Sequence, residues 1–200
     1  MNVITMFFIA YLLGSIPSAL WIGKWLYKTD IREHGSGNLG ATNTFRVLGK
    51  KAGFIVSLLD ILKGTVATLL PLLPLFAETT INPLIIGFFA VIGHMFPIFA
   101  KFKGGKAVAT SAGVVLGYHW PIFIVVILAF FVVLKISKMV SFSSMAVAVV
   151  GFIYSLIYFF ITEDFYLLLI IGLMAVFIFY RHRANIARIR SGTEPKVTWL

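Results

Sequence analysis

FSSMAVAVVGFIYSLIYFFI, residues 142–161, runs for twenty residues without a charged side chain. A helix of about 20 mostly apolar residues is long enough to cross the hydrocarbon core of a bilayer. The rest of the 200-residue chain is similar, with 60% hydrophobic and only 12% charged residues and a mean hydropathy of +1.00. Soluble domains carry about 25% charged residues. The sequence therefore predicts an all-α integral membrane protein.

Seven apolar stretches, of which the fourth is short, predict seven transmembrane helices within a single domain, residues 1–200. They cover about residues 3–23, 54–77, 82–100, 107–118, 121–135, 142–161 and 165–181. The first is interpreted as a retained span, because no positive n-region of a signal peptide precedes it. Pro121 favours a break between spans four and five, which leaves one kinked unit as the alternative. Gly113 and Gly117 permit close helix packing, although this spacing is common by chance.

The basic residues predict the orientation of these spans. Sixteen of the seventeen lie on alternate connections: Lys24, Lys28, Arg32, Arg46, Lys50, Lys51, Lys101, Lys103, Lys106, Lys135, Lys138, Arg181, Arg183, Arg188, Arg190 and Lys196. The positive-inside rule then predicts an external N-terminus and a cytoplasmic C-terminus. The remaining one, Lys63, lies inside the second span three residues after Asp60. Because charges there are costly, we expect these two to form a buried ion pair with a structural role.

Three polar segments are expected on the cytoplasmic side, and the first is HGSGNLGATN, residues 34–43. Its glycines permit positive φ and close backbone approach, so that successive N–H groups form a nest for an anion. Arg46 adds a planar fork suited to phosphate. A flexible loop whose cations serve only as topology signals is the alternative. The side-chain donors of this segment are Ser36, Asn38, Thr42 and Asn43.

The second segment is KFKGGKAVATSAG, residues 101–113, with two glycines between lysines directly before an apolar helix. Backbone N–H groups at a helix N-terminus can bind an anion, although the spacing is not that of a P-loop. An anionic head group bound at the mouth of a span would let an attached acyl chain run into the bilayer.

The third segment, YRHRANIARIRSGTEPK, residues 180–196, is expected to continue the last span as a helix. His182 and Asn185 then share a face, and the histidine is either a general acid or base or an interfacial residue that is only hydrogen-bonded. Glu194 is expected to pair with a nearby arginine. At the start of the sixth span, Ser143 either caps the helix or binds phosphate.

The sequence lacks the residues that several other kinds of enzyme need. The chain has no Cys, which excludes disulfides and a thiol nucleophile, and it has no HExxH pair. The H-x-x-x-x-D signature of common glycerol-phosphate acyltransferases fails at all four histidines, and the paired aspartates of CDP-alcohol transferases are absent. An anion-binding membrane enzyme, an organophosphate or anion transporter, and a scaffold that binds anionic lipid remain. The external connections are short and acidic, which disfavours a transport path for anions.

The three segments, in this order and spacing, resemble the bacterial acyl-phosphate:glycerol-3-phosphate acyltransferase family, called PlsY. The match also includes GSIPSALWIGK, residues 14–24. The resemblance implies transfer of a fatty acyl group from acyl phosphate to the 1-hydroxyl of glycerol 3-phosphate, which gives lysophosphatidic acid and phosphate, the first step of bacterial phospholipid synthesis. It also implies a multi-pass protein, expected to be monomeric, in the cytoplasmic (inner) membrane, with its site on the cytoplasmic face. Membrane lipid is an expected partner, nucleic acid is not, and no cofactor or metal is expected.

The resemblance also implies roles for individual residues. The family assigns its KGGK-type segment to acyl-phosphate binding. The catalytic residues implied are Ser36, Arg46, Lys106, His182 and Asn185. The substrate-binding residues implied are Gly37, Asn38, Gly40, Thr42, Asn43, Lys103, Gly104, Gly105 and Ser143.

Overall fold

The computed structural model describes residues 2–76 and 78–197, and within them it contains α-helices and short 3₁₀ turns but no β-strand. The all-α prediction is therefore confirmed. The α-helices are α1 (Val3–Ser15), α2 (Ser18–Tyr27), α3 (Ala41–Leu48), α4 (Lys50–Leu69), α5 (Pro83–Met95), α6 (Val108–Tyr118), α7 (Trp120–Ser137), α8 (Val140–Thr162), α9 (Phe165–Arg181) and α10 (Arg183–Arg190).

Four helical segments in the described part of the chain are long and apolar enough to cross a membrane. The number rises to six if each of two bent pairs, α1 with α2 and α9 with α10, is one span. Helix α6 is apolar but has only 11 residues. The structure thus contains an apolar helix at each of the seven predicted places, while a count of seven spans stays a prediction. The predicted end of span two, Ala77, lies outside the described residues.

The chain divides into two compact units, one ending at Tyr118 and the other beginning at His119. Helix α6 ends at the first of these residues and α7 begins at Trp120, so that spans four and five are separate helices. A single domain stays a prediction.

In the first unit, the segment predicted as the first span, residues 3–23, is broken into two helices. Helix α1 ends at Ser15, and α2 begins at Ser18 with a bend of 44° between them. Pro17 explains the break, because proline has no N–H to donate and it disfavours helical geometry at the preceding residue. Ile16 accordingly has an extended ψ of 111°. The Ile16 carbonyl therefore lies outside the regular hydrogen-bond pattern of a helix.

The helices of the first unit approach one another closely at glycines. A Cβ at Gly113 would overlap the backbone of Ile61 in α4, and one at Gly14 would overlap the backbone of Ala90 in α5. Gly117 lies against Thr65 and Thr68 of α4. Small residues permit this approach in membranes, where packing and not hydrophobic exclusion holds helices together. The close-packing interpretation of the fourth span is confirmed.

The second unit exposes a large apolar surface. Helix α7 buries only Ile122 and Leu134, whereas Leu128, Phe131 and Ile136 are more than half exposed. A soluble protein rarely exposes so continuous an apolar surface, and hydrocarbon tails would cover it in a bilayer. The helices of this unit satisfy their backbone internally, as a bilayer requires.

Candidate active site

The first polar segment is an ordered loop that ends in a short helix. Gly35 and Gly37 have φ of 61° and 67°, the left-handed region that glycine adopts without strain. The buried Asn43 amide accepts from the Ser36 backbone N–H at 2.8 Å and donates to the carbonyls of Ile31 and His34. Asn43 therefore shapes the loop, because its side-chain amide makes its hydrogen bonds with the loop backbone. The flexible-loop alternative does not fit this arrangement.

Helix α3 presents two of the predicted phosphate ligands. Thr42 and Arg46 are four residues apart and both are exposed, so that they share one face of the helix. Gly40 occupies the N-cap position without a side-chain cap, which leaves the first N–H groups of the helix without that partner. Ser36 is exposed as well.

The cations of the same loop differ in their partners. Asp30 accepts from Arg32 at 2.6 Å and pairs with Lys24 at 3.2 Å. The Arg32 guanidinium beside Asp30 holds the pKa of that carboxyl well below its usual range. Arg46, by contrast, makes no hydrogen bond or ion pair with any residue that the structure describes. Arg46 is therefore the guanidinium of this loop that is available to a ligand.

The second polar segment is a turn that uses several of its own amides. The N–H groups of Phe102, Lys103 and Gly105 donate to carbonyls of Pro97, Ala100 and His94, respectively. The prediction that the glycine amides bind an anion is therefore wrong for Gly105. Lys103 remains exposed and Lys106 half-buried, so that their ammonium groups, and not a backbone nest, carry the positive charge of this turn.

The two glycines of this turn permit close packing on His94. A Cβ at Gly104 would overlap the His94 carbonyl, and a Cβ at Gly105 would overlap the imidazole Nε2. Neither glycine has positive φ, whereas Lys101, Phe102 and Ala107 do. The close contact with His94 therefore explains the two glycines better than a need for positive φ.

Sequence reasoning missed His94. It lies near the end of α5, is 6% exposed, and has Nδ1 3.7 Å from the Asp60 carboxylate. The available signal was a titratable side chain inside an apolar span, the same signal that identified Asp60 and Lys63.

Asp60 and Lys63 form the predicted ion pair, with 2.8 Å between Oδ1 and Nζ and both side chains buried. The Ser18 hydroxyl donates to the same carboxylate oxygen at 3.0 Å, and Lys63 donates to the Ile16 carbonyl at 3.0 Å. The prediction of a buried pair is confirmed. It joins α4 to the break between α1 and α2.

A pocket in the first unit brings the first two polar segments together. Its cavity volume is about 10 Å³, room for about one water molecule, and its lining includes Leu39 of the first segment and the two glycines of the second. The complete lining is Gly14, Ile16, Pro17, Leu39, Lys63, His94, Pro97, Gly104 and Gly105. Residues from sequence positions far apart thus surround one small polar cavity.

In the second unit, the third polar segment is not one continuous helix. It bends by 58° at His182, which ends α9 and precedes α10. The His182 ring is 2% exposed, and its Nδ1 lies 2.8 Å from the Ile178 carbonyl. Asn185 is also buried and donates to Glu194 at 2.6 Å.

Glu194 links the tail to α8 and α10. Its carboxylate accepts from Ser141 at 2.6 Å and from Arg188 at 2.7 Å, in addition to Asn185. The predicted pairing with an arginine is confirmed. Burial alone would raise the pKa of Glu194, but the hydrogen bonds from Ser141, Asn185 and Arg188 outweigh it and lower that pKa below 4.5.

This network makes stability dependent on pH. Because the folded-state pKa of Glu194 is lowered, its stabilising contribution is present above pH 4.5 and is lost as the pH falls through the folded-state value. We expect Glu194→Gln to lower the thermal unfolding midpoint in detergent at pH 7. The difference from the wild type should shrink as the pH is lowered below 4.5. A difference that stays constant with pH would contradict the assignment.

Ser143 is fully buried in the fourth position of α8, and its hydroxyl donates to the Met139 carbonyl at 2.9 Å. The N-cap position belongs to Met139, so the interpretation of Ser143 as a helix cap is wrong. Ser141, which sequence reasoning did not select, is the serine of this region that contacts another site residue.

Among the described residues, no group of three or more His, Asp and Glu side chains is placed to hold a metal ion.

The fold and the site define an integral membrane protein with polar, cation-rich turns set against apolar helices. The sequence profile of the family "Glycerol-3-phosphate acyltransferase" matches residues 4–192. The chain belongs to this family.

Its relatives include a Glycerol-3-phosphate acyltransferase of Bacillus subtilis, 58% identical over 96% of both chains. Another, from Listeria monocytogenes, is 55% identical over 100% of this chain and 98% of the relative. A crystal structure of PlsY (YgiH), an integral membrane glycerol 3-phosphate acyltransferase, in its glycerol 3-phosphate form, has a TM-score of 0.87 at 35% identity and covers 97% of this chain and 94% of its own. The lysophosphatidic acid form of that protein has a TM-score of 0.84 at 34% identity, over 96% and 94%.

Proposed function

We propose that this acyltransferase takes its acyl group from acyl phosphate and transfers it to the 1-hydroxyl of glycerol 3-phosphate. The products are 1-acyl-glycerol 3-phosphate (lysophosphatidic acid) and inorganic phosphate. The observation that carries the proposal is that both cation-bearing segments meet at one small pocket, because both substrates carry phosphate. Leu39, which precedes Arg46 by seven residues, lines it together with Gly104 and Gly105, which lie between Lys103 and Lys106. The structural relatives in glycerol 3-phosphate and lysophosphatidic acid forms support the acceptor and the product.

An apolar groove in the first unit suits the acyl chain. It has a volume of about 360 Å³, is lined by residues of α1, α2 and α4, and includes Ser18 and Lys63. Its other lining residues are Leu13, Ile16, Trp21, Ile22, Trp25, Leu26, Leu59, Leu62 and Val66. Ile16 and Lys63 also line the polar pocket, so a donor with its head group there would have an apolar surface beside it for its chain.

The reaction we propose is direct attack without an acyl-enzyme. The 1-hydroxyl oxygen of glycerol 3-phosphate bonds to the acyl carbon, and the bond from that carbon to the phosphate oxygen breaks. The proton passes to a phosphate oxygen of the substrate, with His182 as the alternative acceptor. Acyl phosphate is already activated because phosphate is a good leaving group, so positioning and charge stabilisation supply most of the rate enhancement. Trapping an acyl group on Ser36 would contradict direct attack.

The proposed roles follow from charge and exposure. Arg46 binds a phosphate as a fork, with Ser36 and Thr42 as additional donors. Lys103 and Lys106 bind the acyl phosphate and stabilise charge that develops on its leaving group. His182 and Asn185 of the second unit remain proposed ligands of glycerol phosphate, and Glu194 orients Asn185. Asn43 and Gly105 act through the geometry of their loops.

We also propose seven spans with an external N-terminus and an active site on the cytoplasmic face of the bacterial inner membrane. The distribution of basic residues supports this orientation. A cytoplasmic site suits both substrates, because a positive face raises the local concentration of phosphorylated ligands.

The decisive experiment measures phosphate release by the purified protein in lipid, with palmitoyl phosphate in the presence and absence of glycerol 3-phosphate. We expect release that depends on the acceptor, with lysophosphatidic acid formed in equal amount. Release without the acceptor would indicate a hydrolase. Saturable organophosphate binding without turnover would indicate a transporter.

Arg46→Lys tests the phosphate fork separately from charge. Lysine retains the positive charge but binds as a point charge, without the planar pair of donors. We expect kcat/KM to fall at least about tenfold, the equivalent of one bidentate contact. Arg183→Lys, at an exposed arginine over the Tyr180 ring, is the matched control and should retain activity. Full activity of Arg46→Lys would refute the fork.

A further inference from the structure

The proposed reaction assigns no role to the buried cluster of Ser18, Asp60, Lys63 and His94, although Lys63 and His94 line its pocket. All four side chains are at most 7% exposed, and they come from three helices of the first unit. Ionised groups in the membrane interior are expensive, and they persist where they have partners and a function. One member of the cluster, His94, packs against the turn that carries Lys103 and Lys106.

Asp60 is the centre of this cluster. A single carboxylate oxygen, Oδ1, is 2.8 Å from Lys63 Nζ, 3.0 Å from the Ser18 hydroxyl and 3.7 Å from His94 Nδ1. Electrostatic contacts of this length are much stronger in a buried environment than in water. The contact with His94 Nδ1 is longer than a hydrogen bond, so it is electrostatic, and it favours a ring orientation that keeps Nδ1 toward Asp60.

His94 in turn contacts the glycine turn on two sides. Its carbonyl accepts from the Gly105 N–H at 3.1 Å, and its ring Nε2 lies where a Cβ on Gly105 would stand. Its carbonyl fills the corresponding space at Gly104. The position of the ring therefore determines how closely the turn approaches α5.

We propose that Asp60, acting through His94, is a positioning residue for the turn at Gly104 and Gly105, and thereby for the lysines on either side of it. The inference rests on the proposed function, because it takes acyl phosphate as the ligand of those lysines. Asp60 need not touch the substrate, and His94 acts through the turn even though it also lines the pocket. Their effect is to hold Lys103 and Lys106 at a fixed separation from the pocket, where a displacement of about 1 Å can lower activity about 100-fold.

The test compares two substitutions of His94 in the full-length protein in lipid. His94→Leu removes both ring nitrogens, whereas His94→Asn keeps an amide group near the position of Nδ1. We expect His94→Leu to raise the KM for palmitoyl phosphate at least about tenfold, as loss of a contact to a charged group would. The KM for glycerol 3-phosphate should change much less, and His94→Asn should recover most of the loss.

Backbone hydrogen exchange gives a readout that is independent of turnover. His94→Leu should accelerate exchange in residues 101–107 and leave α8 unchanged. Asp60→Asn with Lys63→Met removes both charges of the buried pair. It should raise the same KM, and adding His94→Leu should raise it little further, because the two changes interrupt one chain of contacts.

Thr68→Val is the matched control, since it removes a buried hydroxyl of α4 that donates only to the Gly64 carbonyl in the same helix. It should leave both KM values and the exchange of residues 101–107 unchanged. The inference is overturned if folded His94→Leu keeps its KM for palmitoyl phosphate, or if both KM values rise alike. It is also overturned if adding His94→Leu to the double variant raises the KM for palmitoyl phosphate by the same factor as it does in the wild type. Wild-type protein without acceptor-dependent turnover would refute the proposed function instead, and the exchange experiment would still test the positioning.

Discussion

Gly105→Ala is expected to lower kcat/KM for acyl phosphate about 100-fold, the cost of a displacement of about 1 Å at a reacting centre. The added Cβ would overlap His94 Nε2, and the His94 ring has little room to move because it is buried. The turn must therefore shift away from α5 and carry its lysines with it. Steady-state kinetics in lipid with palmitoyl phosphate as the varied substrate measures the effect.

Gly151→Ala provides the control for the loss of a glycine. A Cβ there would lie 3.6 Å from Val126 and 3.8 Å from Ile171, which is ordinary van der Waals contact within the second unit. Alanine is also a better helix former than glycine, so both stability and activity should be retained. Unchanged kinetics in Gly105→Ala would mean that the turn has room that the structure does not provide.

Asp60→Asn is expected to lower the free energy of unfolding by about 3–5 kcal/mol, because it leaves the buried Lys63 without its counter-charge. Only 2% of Asp60 is exposed, so water cannot replace the lost partner. Titration with a denaturing detergent, followed by the loss of helical signal, measures the change. The thermal unfolding midpoint provides an independent check.

Two further variants separate charge from packing. Asp60→Asn combined with Lys63→Met should recover most of the lost stability, because a buried ion pair can often be replaced by neutral groups at little cost. Ser18→Ala removes one hydrogen bond and no charge, so its effect should be about 1–3 kcal/mol. Asp60→Asn that is as stable as the wild type would refute the buried pair as a stabilising element.

Much of the fold follows from local properties of the sequence. The hydrophobic runs predict the helices for two reasons. Each apolar residue adds to the favourable free energy of burial in lipid, and each helix forms the hydrogen bonds of its own backbone. The three polar segments stand out because each concentrates polar and charged side chains next to apolar runs, in a chain that is only 12% charged. The ion pair of Asp60 and Lys63 was predictable because its partners are one helical turn apart.

The break at Pro17 and the bend at His182 were harder to predict from the sequence. Proline predicts a possible interruption, but whether a helix continues through it depends on the partners of the freed carbonyl. Here Lys63, 47 residues later, donates to the Ile16 carbonyl and stabilises the break. The bend at His182 likewise accompanies contacts between α10 and the tail that no local pattern contains.

The sequence by itself thus determined a membrane-embedded helical protein, its polar turns and the charges they present, because each depends on short-range composition and periodicity. Only the tertiary structure decided what those turns rest on. It brought His94 against Gly105 and Asp60, and Ser141 against Glu194, which is 53 residues away in the chain. Such contacts depend on which helix faces pack together, and that choice is made by the summed fit of side chains distant in sequence.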